Sequence, residues 1–145
     1  MVNVYFEISE KLFTSKQFIA AVGNFALSKL KIPDVEITII IVSNEKIRKL
    51  NKKHMNSNNE TDVLSFNLGY HDPESDLEYL GDIVISGEKA DEQAREFGHT
   101  VEKEMAILIT HGILHLIGYE DQNIDDKTVM FKIQDLIIQD FFKVN

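Results

Sequence analysis

The chain opens on a simple alternation: Val2, Val4, Phe6 and Ile8 fall on one side of an extended segment, which predicts a first strand from Val2 to Ile8. The period then changes. Phe18, Ile19, Val22, Phe25, Ala26 and Leu30 recur at spacings of one, three or four, the stripe of an amphipathic helix from Ser15 to Leu30. Ser15 supplies its N-cap, and Pro33 keeps it from running on. Val35 to Val42 is almost continuously apolar and β-branched, so it predicts a strand buried on both faces in the middle of a sheet. Ser43 caps a second helix through Lys53, with Ile47 and Leu50 as its apolar face, and the Asn-rich stretch Met55 to Glu60 reads as a loop.

A third strand is predicted over Thr61 to Leu68, an acidic loop over Gly69 to Leu80, a short fourth strand over Gly81 to Ser86, and a polar helix over Gly87 to Phe97. Thr100 then opens a helix that is apolar nearly all round (Met105, Ala106, Leu108, Ile109, Ile113 and Leu116 among others), and so belongs inside the molecule. A last helix, about Asp125 to Phe142, carries Val129, Ile133, Leu136, Ile137 and Phe141 on its apolar side. The order β-α-β-α-β-β-α-α-α predicts one domain over residues 1–145 of α/β (α+β) class. Its single mixed four-stranded sheet would pack on a central buried helix with other helices flanking it.

That central helix carries the candidate chemistry. His111 and His115 are four apart and share one helical face, the spacing with which a helix offers two imidazoles to one metal ion. Gly118 stands where the helix needs a residue of positive φ to end it, and the returning chain brings Asp121 as a third, oxygen ligand. Two nitrogens and one carboxylate leave a fourth position open, as in catalytic zinc sites. Histidines at this spacing also occur on many helices as caps or as satisfied core residues. The helix-ending glycine, the carboxylate beyond it and the buried surroundings weigh towards the metal. Glu120 and Gln122 are alternative third ligands.

Composition narrows the choices. There is no cysteine, which rules out disulfides and thiolate ligands and leaves histidine and carboxylate for any metal. A chain of 145 residues with 43% hydrophobic and 27% charged residues fits a soluble globular protein. The lack of a membrane-length apolar run or a leader pattern leads us to expect a cytoplasmic one. A net charge of -9 repels phosphate backbones, so nucleic-acid binding requires a local basic patch. Lys46, Arg48, Lys49, Lys52 and Lys53 form the one candidate, although by charge alone they read as a solvated helix face.

An open metal position points to hydrolysis, because the ion acidifies water and polarises a carbonyl or phosphoryl oxygen. Zinc peptidases place a glutamate directly after the first histidine; here that position is Gly112, which disfavours peptide hydrolysis. Three segments, His111 to Asp121, Thr61-Asp62-Val63-Leu64-Ser65-Phe66 and Gly81-Asp82-Ile83-Val84-Ile85-Ser86, together resemble the YbeY family of bacterial endoribonucleases and rRNA maturation factors. The resemblance covers nearly the whole chain in the same order. It implies a metal-dependent (most simply Zn2+), single-strand-specific endoribonuclease acting in 16S rRNA 3′-end maturation, small-subunit biogenesis and ribosome quality control. Its partners would be rRNA and the small ribosomal subunit. Asp62 and Ser65 become catalytic candidates lining the cleft, and Lys49, Lys52 and Lys53 become candidate contacts to RNA phosphates.

Two positions depart from the family pattern. The third ligand of such proteins is usually histidine; Asp121 in its place adds negative charge, lowers the ion's Lewis acidity and admits harder ions, leaving zinc, manganese and nickel open. Met55 stands where an arginine implicated in cleavage is typical, and a thioether neither binds phosphate nor stabilises transition-state charge. Lys52, Lys53 or His54 would have to compensate. Both departures lend some weight to a non-catalytic reading, a ribosome assembly factor with a structural metal. His71 and His99 are taken as surface residues without a link to the site.

Overall fold

A computed structural model describes residues 1–8, 14–55 and 61–144. The elements are β1 (Val2–Phe6), α1 (Lys16–Lys29), β2 (Val35–Val42), α2 (Asn44–Met55), β3 (Val63–Asp72), β4 (Leu77–Ser86), α3 (Gly87–Phe97), α4 (Val101–Leu116) and α5 (Ile124–Val144). The strands form a four-stranded sheet in the order β1-β2-β4-β3. Strand β2 is parallel to β1 and to β4, whereas β3 and β4 pair antiparallel. Placing the β-branched strand inside the sheet follows from its sequence, because both of its faces must then be covered.

Alternation along the strands divides the apolar side chains between two layers. Ile37, Ile39 and Ile41 of β2, with Ile83 and Ile85 of β4, face the main core, where α1, α4 and α5 contribute Ile19, Val22, Met105, Ile109, Ile113 and Phe141. Ile40, Val42, Leu64, Phe66 and Val84 face the other way and meet Ile47 and Leu50 of α2. Helix α4 is the hub of the larger layer, and its Met105, Ile109, Ile113 and Leu114 are fully buried. Capping bonds fix the helix starts: Ser15, Ser43, Ser86 and Thr100 each accept from the backbone nitrogen three residues on.

Three expectations change. The stretch taken as a loop over residues 69–80 is a hairpin, since β3 runs on to Asp72 and β4 starts at Leu77. It escapes an apolar pattern because its side chains are largely exposed, and backbone pairing across a register shift between Asn67 and Tyr70 holds it together. On α5 the inward face is Met130, Gln134, Ile137, Ile138 and Phe141; Val129 and Leu136 point to solvent. His99 is largely buried rather than on the surface, with its Nε2 2.6 Å from Glu104 Oε1. Helix α2 runs on to Met55, and the rest of the loop expected over Met55 to Glu60 lies outside the described residues. Among the described residues, no helix is long and apolar enough to cross a membrane.

Candidate metal centre

The histidines lie in the last turns of α4, on the flank that faces β3 and α5. Helix α4 reaches the sheet this closely because Gly112 has no side chain. A Cβ there would lie 2.7 Å from Ile83 Cγ2, well inside van der Waals contact. The same geometry explains the missing peptidase glutamate: at position 112 a side chain would run into Ile83 instead of reaching the open side of the site. Strand β3 is tied to the helix by two further bonds. Ser65 Oγ donates to the Gly112 carbonyl at 2.9 Å, and Asn67 Nδ2 donates to the Leu116 carbonyl at 3.1 Å.

Past Leu116 the helix unwinds through Gly118, at φ 103°, with Tyr119 N bonded back to the Leu114 carbonyl. This turn does two things. It puts the Tyr119 carbonyl 3.0 Å from His115 Nδ1, and it folds Asp121 back over the helix end. His111 Nδ1 lies 2.9 Å from Gln134 Oε1 on α5. A carbonyl oxygen can only accept, so both imidazoles carry their proton on Nδ1 and present a bare Nε2. Those two Nε2 atoms are 3.1 Å apart, and Asp121 Oδ2 is 3.5 Å from each.

Ligands at about 2.0–2.1 Å around a tetrahedral ion stand roughly 3.3 Å from one another, so the three donors already have the spacing of a ligand set. His111, His115 and Asp121 can therefore hold one metal ion, and among the described residues they are the group that converges in this way. Burial pushes the His111 pKa below its ordinary value, keeping the imidazole neutral and its lone pair free for a metal. All three side chains are partly exposed, so a substrate can reach the group.

Two cavities flank this position. One of about 340 Å³ is bounded by Ser65, Asn67, His115 and Leu116. The other, of about 230 Å³, is bounded by His111 and Asp62, with Glu104, Phe131 and Gln134 behind them. The two strand residues singled out from the sequence thus lie on opposite sides of the centre, Ser65 beside His115 and Asp62 beside His111. The lysines are not gathered there. Lys49, Lys52 and Lys53 are exposed on α2, on the opposite face of the sheet from α4, and Lys49 pairs with Glu45 at 3.1 Å. His54 packs edge-on against Phe66, ring centroids 5.3 Å apart, under the same helix.

Gln134 is the site residue that sequence reasoning missed. Its signal was a polar residue in step with Met130, Ile137 and Ile138 on the inward face of α5, where an unpartnered amide would be costly.

A buried helix and the turn that ends it thus bring two histidines and an aspartate together beside a mixed sheet, a group that can hold a metal ion. The chain matches the family model described as "Endoribonuclease YbeY" over residues 4–142, and it belongs to that family. Proteins named endoribonuclease YbeY are 38% identical in Listeria welshimeri (88% of this chain, 87% of that one) and 39% identical in Syntrophomonas wolfei (85% and 84%). One from Caldicellulosiruptor bescii is 44% identical over 72% of each chain. The solution structure of TM1509 from Thermotoga maritima has the same fold, with a TM-score of 0.65 and 31% identity over 99% of this chain and 90% of that one.

Proposed function

We propose that this protein is a divalent-metal-dependent endoribonuclease that cleaves single-stranded RNA in the maturation of the 16S rRNA 3′ end, acting in the cytoplasm on the small ribosomal subunit. The observation that carries the metal part is the convergence of two bare Nε2 atoms and one carboxylate oxygen within 3.5 Å of one another, each imidazole oriented by an acceptor on its far nitrogen. When bound, a divalent ion supplies Lewis-acid polarisation of a phosphoryl oxygen and lowers the pKa of the attacking hydroxyl or water. Zn2+ is the first choice for a two-histidine set, and Asp121 leaves manganese and nickel as competitors.

The protein's own groups do the rest. His111, His115 and Asp121 hold the ion, while Gln134 and the Tyr119 carbonyl fix the tautomers. Asp62 and Ser65 line the substrate path on either side, Ser65 also keeping β3 against α4. Lys49, Lys52 and Lys53, across the sheet, attract the RNA backbone at longer range as a local basic cluster on a chain of net charge -9.

Cleavage of a single-stranded RNA by the purified protein should be lost with a chelator, lost in His111→Ala, and restored to wild type by added metal. Full activity in the chelated protein would refute metal dependence. The competing reading, an assembly factor with a structural metal, is favoured by Met55 in place of an arginine. It gains the lead if the metal-loaded protein binds the small subunit yet cleaves no RNA.

A further inference from the structure

The cavity beside His111 has a composition that metal ligation does not explain. Its walls carry two carboxylates, Asp62 and Glu104, and two aromatic rings, Phe97 and Phe131. Glu104 is only 4% exposed, which is unusual for a carboxylate, and it lies at the floor. His99 and Gln93 brace the pair from behind: His99 Nε2 meets Glu104 Oε1 at 2.6 Å, and Gln93 Nε2 donates to Asp62 Oδ2 at 3.3 Å. Among the described residues, Gln93 Oε1 is buried without a hydrogen-bond partner. At the mouth, Phe97 is 63% exposed at the end of a largely polar helix, its ring 6.0 Å from that of His99. Phe131 is partly buried, its ring 5.7 Å from that of His111 and the Lys127 ammonium 5.6 Å from its centroid.

Such a lining favours a flat ring rich in N–H groups over a phosphate. The volume of about 230 Å³ would hold roughly eight waters at liquid density, the scale of one purine or pyrimidine ring system. Aromatic walls stack any base, and carboxylates select among bases by the donors on their Watson–Crick edges. Guanine presents two adjacent donors there, N1–H and the N2 amino group. Adenine and cytosine present one amino group beside a bare ring nitrogen that a carboxylate repels, and uracil presents a single N–H between two carbonyls. Gln134, which commits its Oε1 to His111, has its amide nitrogen left as a donor for guanine O6.

We infer that this cavity is a base-recognition subsite, selective for guanine, that seats the nucleotide next to the phosphate held at His111, His115 and Asp121. This rests on the endoribonuclease reading and gives it a sequence preference. It assigns Asp62 and Glu104 to the base rather than to the reacting phosphate.

Binding of GMP, IMP, AMP, CMP and UMP, measured by calorimetry on the metal-free and the metal-loaded protein, tests it. GMP should bind at least roughly tenfold tighter than AMP, CMP or UMP, with IMP, which lacks the amino group, in between. Asp62→Asn should abolish the preference. Phe97→Ala, at an exposed position that folding tolerates, should weaken all five nucleotides by a similar factor, about tenfold. Equal binding of GMP and AMP to the wild type, or an unchanged preference in Asp62→Asn, would overturn the inference. Mapping of cleavage sites separates the two levels. Efficient cleavage indifferent to a neighbouring guanine refutes the subsite and leaves the nuclease standing. A guanine preference in binding without any cleavage refutes the nuclease and leaves the subsite standing.

Discussion

Replacing Gln134 with leucine removes one acceptor and little volume, and its effect on metal affinity can be worked out from the site. Gln134 is 3% exposed, so water cannot take over the 2.9 Å bond from His111 Nδ1. Without a metal, the His111 ring of the variant can shift its proton to Nε2 and find other partners. Metal binding forces the proton back to Nδ1, where it now faces a methyl group. An unsatisfied buried donor costs about 1–3 kcal/mol. Through a single ligand this weakens metal binding roughly 10- to 100-fold, the range typical for loss of a hydrogen-bond partner behind a ligating histidine. Titration of the metal-free proteins with zinc against a chromophoric chelator at neutral pH measures it. Gln134→Glu keeps an acceptor in place and should stay within a few-fold of wild type, which separates the lost bond from altered packing. If Gln134→Leu binds zinc as tightly as the wild type, the far nitrogen of His111 is not held as described and the tautomer argument fails.

Gly112→Ala pits a gain of about 1 kcal/mol in helix propensity against a Cβ that would sit 2.7 Å from Ile83 Cγ2. Ile83 is β-branched and its strand is paired on both sides, so overpacking should win and lower the melting temperature by several degrees; an unchanged or higher value would contradict the close contact. Lowering the pH through about 6.5 should destabilise the metal-free protein, because the unfolded imidazole takes up a proton that the buried, pKa-depressed His111 resists. The slope of melting temperature against pH, compared with His111→Gln, isolates that contribution, and equal slopes would refute it. Charge reversal at Lys49, Lys52 and Lys53 should weaken RNA binding and flatten its salt dependence, with each lost phosphate contact reducing the slope by roughly 0.7 for a single strand; an unchanged slope would remove these lysines from the RNA path.

What could be read from the chain was what is local. The three candidate ligands lie within residues 111–121, where a four-residue spacing and one glycine-ended turn decide the geometry, and their donor atoms converge. The β-branched run of β2 announced a central strand because burial on both faces leaves a composition that nothing else requires. Burial hidden from a periodicity reading was lost. The β3–β4 hairpin is mostly exposed, so no apolar alternation marks it. On α5, Val129 and Leu136 are apolar yet exposed, while Gln134 is polar yet inward because His111 needs its oxygen, and this inversion turned the expected face. His99 and Glu104 are five residues apart across a helix start, where no spacing rule links them, and their burial shows only in the fold. The long-range partners of the site, from Asp62 to Gln134, come together only in the folded sheet and helices.

The central claim is that His111, His115 and Asp121 together hold one divalent ion, and metal content by mass spectrometry of the untagged protein, wild type beside Asp121→Ala, tests it most directly. Near-stoichiometric metal in the wild type and a sharp drop in the variant is the expected result. Equal metal in both would move the third ligand away from Asp121, and little metal in either would contradict the metal centre itself.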